Sequence, residues 1–258
     1  MKTFAVSMVK NEIDVITDTV LHTLGQVDHM IVSDNLSTDG TREELDRLSK
    51  MHSNLTVIND PDPAYHQSEK TTALANMAAN MGATYILVVD ADEYWASLSG
   101  QKIKHVLDQV GGTLFPAQMF DFVPTAMDDD GKDIFHKIQW RRREPGPMEK
   151  VAFKWSKGTV VEMGAHSISR KNVSWEQVRE HVLYCRHYPY RSADQFVNKA
   201  VQGGRALELT DLPEDRGAHW RQYYDTYKTG GHSSLAQIFY QWFYEDSPDE
   251  SDLVFDPL

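Results

Sequence analysis

An α/β fold built on a mainly parallel sheet with helices on its faces is predicted by three observations. Over residues 1–95, short apolar runs alternate with segments of helical spacing in the order β-α-β-α-β-α-β, the pattern of a covered parallel sheet. Each apolar run ends in polar residues, at Val9-Lys10-Asn11, Asp34-Asn35, Asp60 and Asp90-Ala91-Asp92. Ligands of such sheets bind beyond the carboxyl ends of the strands, so these four clusters mark one polar rim. The chain has 258 residues, 41% of them apolar, which suffices for one large domain with a core of its own and excludes intrinsic disorder.

The elements follow in order. Residues 3–9 (TFAVSMV) read as a buried strand. Ile13, Ile16, Val20, Leu21 and Leu24 have helical spacing over 12–24, with Gly25 placed to end that helix. A second strand at 29–33 leads into DNLSTDGT, rich in turn formers and N-caps, and a helix over 42–51. A third strand, 55–60, precedes a PDP loop and a helix over 68–81; then comes TYILVVDADEYW, an apolar strand ending in acids. Beyond it a helix is predicted at 101–110, an extended strand at 112–124, an acidic turn at 127–133 and a Pro/Gly break at 143–147. KVAFKW and GTVVEMGAHSIS read as a strand pair, and 181–189 as another strand. Residues 192–207 form a helix with Ser192 as N-cap and Gly203-Gly204 at its C-terminal end. Residues 219–244 are aromatic and helical, and the acidic tail is expected to be loosely held. The domain reading is a catalytic domain over 1–215, with a nucleotide-binding half at 1–95 and an acceptor and metal half at 96–215, followed by a helical extension and tail at 216–258.

Composition removes several function classes. No apolar run approaches 18 residues, so no membrane span is expected, and the N-terminus meets Lys10, Asn11 and Glu12 too early for a signal peptide. A cytoplasmic location is therefore expected. A single cysteine, Cys185, allows neither an intrachain disulfide nor a cysteine zinc site. The net charge of −12 disfavours indiscriminate polyanion binding. It is unevenly spread: residues 131–158 hold eight Lys/Arg against three acids, +5, leaving −17 elsewhere.

The segment Ile86-Leu87-Val88-Val89-Asp90-Ala91-Asp92-Glu93 delivers three acids to the end of an apolar strand. Carboxylates are hard oxygen ligands suited to Mg²⁺ or Mn²⁺, and a cation held there can stabilise a departing diphosphate. The bland alternative is that the acids cap the next element or pair with lysines. Asp34 can accept from a base imide or a ribose hydroxyl, while Ser37, Asp39 and Thr41 can fix the loop and cap its helix. Lys70, on the helix over 68–81, is a further candidate for the nucleotide site.

The set V-K-N-E, S-D-N-L-S-T-D-G-T and V-D-A-D-E resembles the family-2-type glycosyltransferases of the GT-A fold, and most closely the subgroup whose acidic motif reads D-A-D-E. The likeness is strong over 4–95, weak through K-V-A-F-K (150–154) and G-A-H (164–166), and clear again in H-Y-P-Y-R-S-A-D-Q-F-V-N-K (187–199). It implies a nucleotide-sugar donor, commonly a UDP-sugar, cradled by Val9, Asn11, Glu12, Asp34, Asn35, Ser37, Asp90 and Ala91. It also implies a divalent cation bound directly by Asp92, with Asp90 nearby and His166 completing the set; His187 is the rival histidine. Lys150, Arg186, Arg191 and Lys199 are candidates for the diphosphate.

Inversion, which the resemblance alone implies, needs a base for the acceptor hydroxyl. Asp121, a lone acid in an apolar strand, is the first choice, with Glu162 and Glu93 as runners-up. The expected acceptor is a hydroxyl of a glycan, lipid or protein. One alternative is a hydroxymethylated base in DNA, read by Arg141, Arg142, Arg143, Trp140 and Trp155 of the basic segment. Others are a non-catalytic sugar-binding module and a nucleotidyltransferase, but the latter usually shows a glycine-rich loop where this chain has Val9-Lys10-Asn11-Glu12.

Overall fold

The computed structural model describes residues 1–128, 133–170, 175, 177–178, 180–245 and 250–258. Part of the predicted acidic turn, 129–132, lies outside them, and Lys132 with it. The first half runs β1 (Thr3–Val9), α1 (Ile16–Gln26), β2 (His29–Asp34), α2 (Thr41–Met51), β3 (Leu55–Asn59), α3 (Gln67–Asn80) and β4 (Tyr85–Val88). Next come β5 (Glu93–Ser97), α4 (Ile103–Val110), β6 (Leu114–Asp121), α5 (Ile134–Lys137), β7 (Trp140–Arg142), β8 (Glu149–Lys154), β9 (Val160–Val161) and β10 (Ile168–Ser169). The chain closes with β11 (Leu183–His187), α6 (Ala193–Glu208), α7 (Ala218–Tyr240) and β12 (Leu253–Phe255).

These elements form two compact units. The first comprises Met1–Pro61, Gln67–Phe120 and Pro145–His187; the second comprises Asp62–His66, Asp121–Glu144 and Tyr188–Leu258. The first unit holds an eight-stranded sheet in the order β3-β2-β1-β4-β8-β6-β11-β5. Its β3-β2-β1-β4 half is parallel, as the alternation of strands and helices predicts. β1, β2 and β4 are almost wholly buried, which is why they read as continuous apolar runs rather than alternating ones. Phe4, Val6, Ile31, Ile86 and Val88 pack with Leu74, Ala75 and Ala78 of α3 and with Val151 and Phe153 of β8. Each Val, Leu, Ile or Phe among them contributes roughly 1.5–3 kcal/mol by leaving water.

The register levels the strand ends. Val9 lies opposite Asp34, and Asp34 opposite Asn59. Backbone bonds from Asn35 N–H to the Val9 carbonyl and from Asp60 N–H to the Asp34 carbonyl, both of 2.8–2.9 Å, extend the ladder by one residue. The polar residues after β1, β2 and β3 therefore share one edge.

Several expectations are corrected. The run over 84–95 is two strands: β4 stops at Val88, the chain turns through Asp90-Ala91-Asp92, and β5 pairs antiparallel with β11. KVAFK and VV are not each other's partners; β8 lies between β4 and β6, and β9 pairs with β10. α1 continues past Gly25 to Gln26.

In the second unit, α6 continues through Gly203 and Gly204 to Glu208. These glycines serve approach, not termination. A Cβ on Gly204 would stand 2.2 Å from Tyr224 Cβ, and one on Gly203 would stand 3.1 Å from the Trp220 ring. α6 and α7 pack directly, around Phe196, Val197, Ala200, Leu235 and Phe239. Residues 246–249 of the acidic tail lie outside the described residues; its end is held, since β12 pairs with β7 and Leu253 is buried. Arg141 binds Asp256 at 2.7 Å, and Arg143 donates to the Ser251 and Leu253 carbonyls. A sequence window cannot show a strand of three residues whose partner lies over a hundred positions away.

Candidate active site

The polar rim of the first unit is assembled from loops that hold one another. Asn11 (φ 54°) and Leu36 (φ 58°) both adopt the left-handed conformation, after β1 and β2. Asn11 N–H donates to Ser37 Oγ at 2.9 Å, and Thr38 N–H donates back to Asn11 Oδ1 at 2.6 Å. Glu12 N–H reaches Thr41 Oγ1, and Ile13 N–H reaches Asp39 Oδ2. Asp39 also accepts from the Thr41 amide and hydroxyl. Asn11, Ser37, Asp39 and Thr41 thus lock the two loops together.

Deeper in the rim, Asp34 is buried, and its Oδ1 has no hydrogen-bond partner among the described residues. A buried carboxylate oxygen without a donor is costly. Beside it, Asn35 Nδ2 donates to Asp60 Oδ2 at 2.7 Å, and Lys70 Nζ stands 2.7 Å from the same oxygen. Lys10 reaches Asn35 Oδ1 at 3.4 Å. Burial, reinforced by Lys70, lowers the Lys10 pKa below the usual lysine range, against the pull of Asp34 and Asp60.

The acidic turn is braced by a buried ion pair that the sequence reading did not find. Antiparallel pairing places Ala152 opposite Leu87, so β8 runs alongside the turn and Lys150 reaches it. Lys150 Nζ lies 2.6 Å from Asp90 Oδ2, 2.7 Å from Glu93 Oε1 and 2.8 Å from the Gly164 carbonyl. Glu93, with 0% side-chain exposure, uses Oε2 to accept from the Asp90 amide (3.1 Å) and the Trp95 indole (2.9 Å). Burial alone would lower the Lys150 pKa, but Asp90 and Glu93 outweigh it and hold the ammonium well above its ordinary range. Burial pushes Glu93 up, while Lys150 and His187 pull it down. Three acceptors match the three ammonium protons, so the Lys150 ammonium is engaged within the protein. Glu93 is likewise a clamp on the turn.

Asp92 is buried, and His187 Nε2 stands 3.9 Å from its Oδ2. His166 enters from the Gly-Ala-His turn. A Cβ on Gly164 would lie 2.4 Å from the His166 ring, and Gly164 has φ 76°, so the turn needs glycine on both counts. His166 Nδ1 is 2.9 Å from the Glu149 carbonyl, which assigns the ring proton to Nδ1 and leaves Nε2 with a lone pair. Burial, together with Lys150, lowers the His166 pKa and favours the neutral ring; Asp90 and His187 are also within electrostatic reach. His166 lines a cleft of about 350 Å³ with Gln118, Pro145, Gly146, Pro147, Met148 and Glu149. Among the described residues, no three His, Cys, Asp or Glu side chains converge closely enough to enclose a metal ion.

The remaining candidates are placed separately. Glu162 is half-buried before the Met163–Ala165 turn. Asp121, Arg191 and Lys199 belong to the second unit. Asp121 closes β6, Arg191 donates to the Tyr188 carbonyl at 3.1 Å, and Lys199 reaches the Pro189 carbonyl at 3.4 Å. Arg186, on β11, and Cys185 are buried; burial also raises the thiol well above its usual pKa, as expected of an inert cysteine. The aromatic basic segment is engaged in packing. Trp140 stacks obliquely on Phe255 with ring centres 5.2 Å apart, and Trp155 donates to Asn76 Oδ1.

Among solved structures, S. aureus TarS 1–349 in complex with UDP aligns over 90% of this chain and 75% of its own, at 14% identity and a TM-score of 0.42. The mannosyltransferase PcManGT from Pyrobaculum calidifontis, in complex with GDP-Man and Mn2+, aligns over 92% and 73%, at 16% identity and a TM-score of 0.44. No curated protein matches the sequence. The sequence model for Glycosyl transferase family 2 matches residues 5–177, about two thirds of the chain and every rim residue described in the first unit up to His166. The chain belongs to glycosyl transferase family 2.

Proposed function

We propose that this protein is a metal-dependent, inverting glycosyltransferase that moves a sugar from a nucleoside diphosphate to a hydroxyl of a glycan, lipid or protein. The observation that carries the reading is the buried Oδ1 of Asp34, without a hydrogen-bond partner among the described residues, at the strand edge that also bears Asn11, Asn35 and Asp60. A nucleobase imide or a ribose hydroxyl supplies the missing donor. Lys10, near Asn35, is a candidate for the nucleotide alongside the residues proposed from sequence.

The acidic turn fits a divalent cation shared with the substrate. Mg²⁺ and Mn²⁺ are commonly held by one or two carboxylates, with diphosphate oxygens and water completing the shell, so an incomplete protein set is the expected one. Asp92 is the direct ligand in this proposal, and His166 through Nε2 or His187 beside Asp92 supplies nitrogen. Bound there, the cation would offset the charge of the leaving diphosphate. Lys150 orients Asp90 through their 2.6 Å contact, and Glu93 fixes the backbone of the turn. For the acceptor proton we assign Asp121 ahead of Glu162. Glu93 is set aside because its oxygens already serve Lys150, Asp90 and Trp95. Among the described residues no contact favours a duplex acceptor, since Arg141 and Arg143 hold the C-terminal strand.

The test is a thermal-shift series with UDP-, GDP-, CDP- and dTDP-sugars, each with and without Mn²⁺. One nucleotide class should raise the melting temperature only with metal; at a ligand concentration of 100 times Kd the gain is about 2.7 kcal/mol. Absence of any metal-dependent shift in all four classes would refute a nucleotide-sugar donor.

A further inference from the structure

We propose that Leu36 is a specificity residue that lays an apolar side chain against the nucleobase of the donor. The inference rests on the donor site proposed above. Leu36 sits between Asn35 and Ser37, two residues after Asp34. It is 46% exposed and has φ 58°. Both properties are unfavourable for leucine. A branched side chain with Cβ in the left-handed region clashes with its own backbone, and glycine or asparagine is the ordinary occupant. The backbone is fixed on both sides: before Leu36, Asn35 N–H donates to the Val9 carbonyl, and after it Thr38 N–H donates to Asn11 Oδ1. The strain is therefore imposed by the interlocked loops and not relieved by the leucine, whose side chain gains little burial in return. Strain of this kind persists where the surrounding structure over-determines it, and it clusters at functional sites.

What lies beside Leu36 points to the ligand. Asp34, buried and with one carboxylate oxygen unpartnered, presents an acceptor at the foot of the same loop. An acceptor in the plane of a ring and an aliphatic side chain on its face recognise different parts of one heteroaromatic base. A ribose or a diphosphate offers no flat apolar face. Leucine also places three γ and δ carbons where asparagine would put a polar amide, so the residue favours a nucleobase over solvent at this position.

The proposal predicts opposite signs for stability and affinity, which a residue of purely structural importance cannot give. Leu36→Asn and Leu36→Gly relax the backbone and should raise the melting temperature of the ligand-free protein by about 2–4 °C. The same variants should weaken binding of UDP or GDP, whichever the wild type prefers, by about 5–20-fold by calorimetry with Mn²⁺ present. Leu36→Met keeps an apolar contact and should bind within twofold of wild type. Leu36→Ala keeps the strain but loses the contact, so it should bind weakly without any gain in stability. The corresponding free nucleoside should lose affinity by the same factor, while inorganic pyrophosphate with Mn²⁺ should bind all variants alike. Unchanged nucleotide affinity in the asparagine and glycine variants would overturn the contact while leaving the donor site intact. Failure of the wild type to bind either nucleotide would overturn both. A loss confined to pyrophosphate would move Leu36 away from the base and refute the assignment.

Discussion

Asp92→Asn should lower sugar transfer by about 10³-fold, corresponding to roughly 4 kcal/mol of lost transition-state stabilisation. Asparagine matches aspartate in shape, so the buried position beside His187 is kept while the charge is removed. Weaker Mn²⁺ binding in the presence of nucleoside diphosphate should accompany the loss, and both can be followed by measuring nucleoside diphosphate release over a metal titration. Far-ultraviolet circular dichroism should be unchanged. Turnover within threefold of wild type would remove Asp92 from the reaction and return the acidic turn to a capping role.

Lys150→Met should show its main effect in stability, not in donor affinity. The substitution leaves Glu93 buried without its cation and frees the Gly164 carbonyl. Breaking one side of a buried pair costs about 3–5 kcal/mol, a fall in melting temperature of about 6–10 °C for a chain of this size. The pH dependence has a definite sign. The folded-state pKa of Lys150 is raised, so its contribution is complete below the unfolded value and is lost only as pH rises through the folded one. The wild-type contribution is therefore flat through neutrality. In the variant, Glu93 no longer has its ammonium, and burial favours its protonated form. Its folded pKa is raised, so the variant's deficit should be smaller at pH 5 than at pH 8. Adding Glu93→Gln should recover part of the loss, because the two residues act as one unit. If Lys150 instead gripped the donor diphosphate, the variant would keep its melting temperature and lose nucleotide affinity.

The parallel half of the sheet was legible because its signal is local. Apolar runs of four to seven residues, helical spacing between them and polar endings predicted β1 to β4 and their three helices within a few positions. The rim was legible for the same reason, since Asp34, Asp60 and Asp90 follow apolar runs directly. What escaped was long-range. Lys150 and Glu93 are separated by 57 positions, and no window holds both. From sequence the lysine is a phosphate candidate and the glutamate a catalytic candidate, and neither reading contains their 2.7 Å contact. Gly203 and Gly204 read as a helix end because helix packing against Trp220 and Tyr224 leaves no trace in the local pattern. The arginine triplet suggested polyanion binding, yet Arg141 and Arg143 fasten a C-terminal strand. These gaps have one cause: composition reports what a side chain can do, and its distant partners lie outside any local window.

Fixed-point release of nucleoside diphosphate from a nucleotide sugar, with Mn²⁺ and then with excess chelator, tests the central claim most directly. The account predicts turnover of one nucleotide class that stops on chelation, resumes when metal is restored and accelerates with a hydroxyl acceptor. Chelator-insensitive release, or none from any of the four classes with Mn²⁺ present, would contradict it.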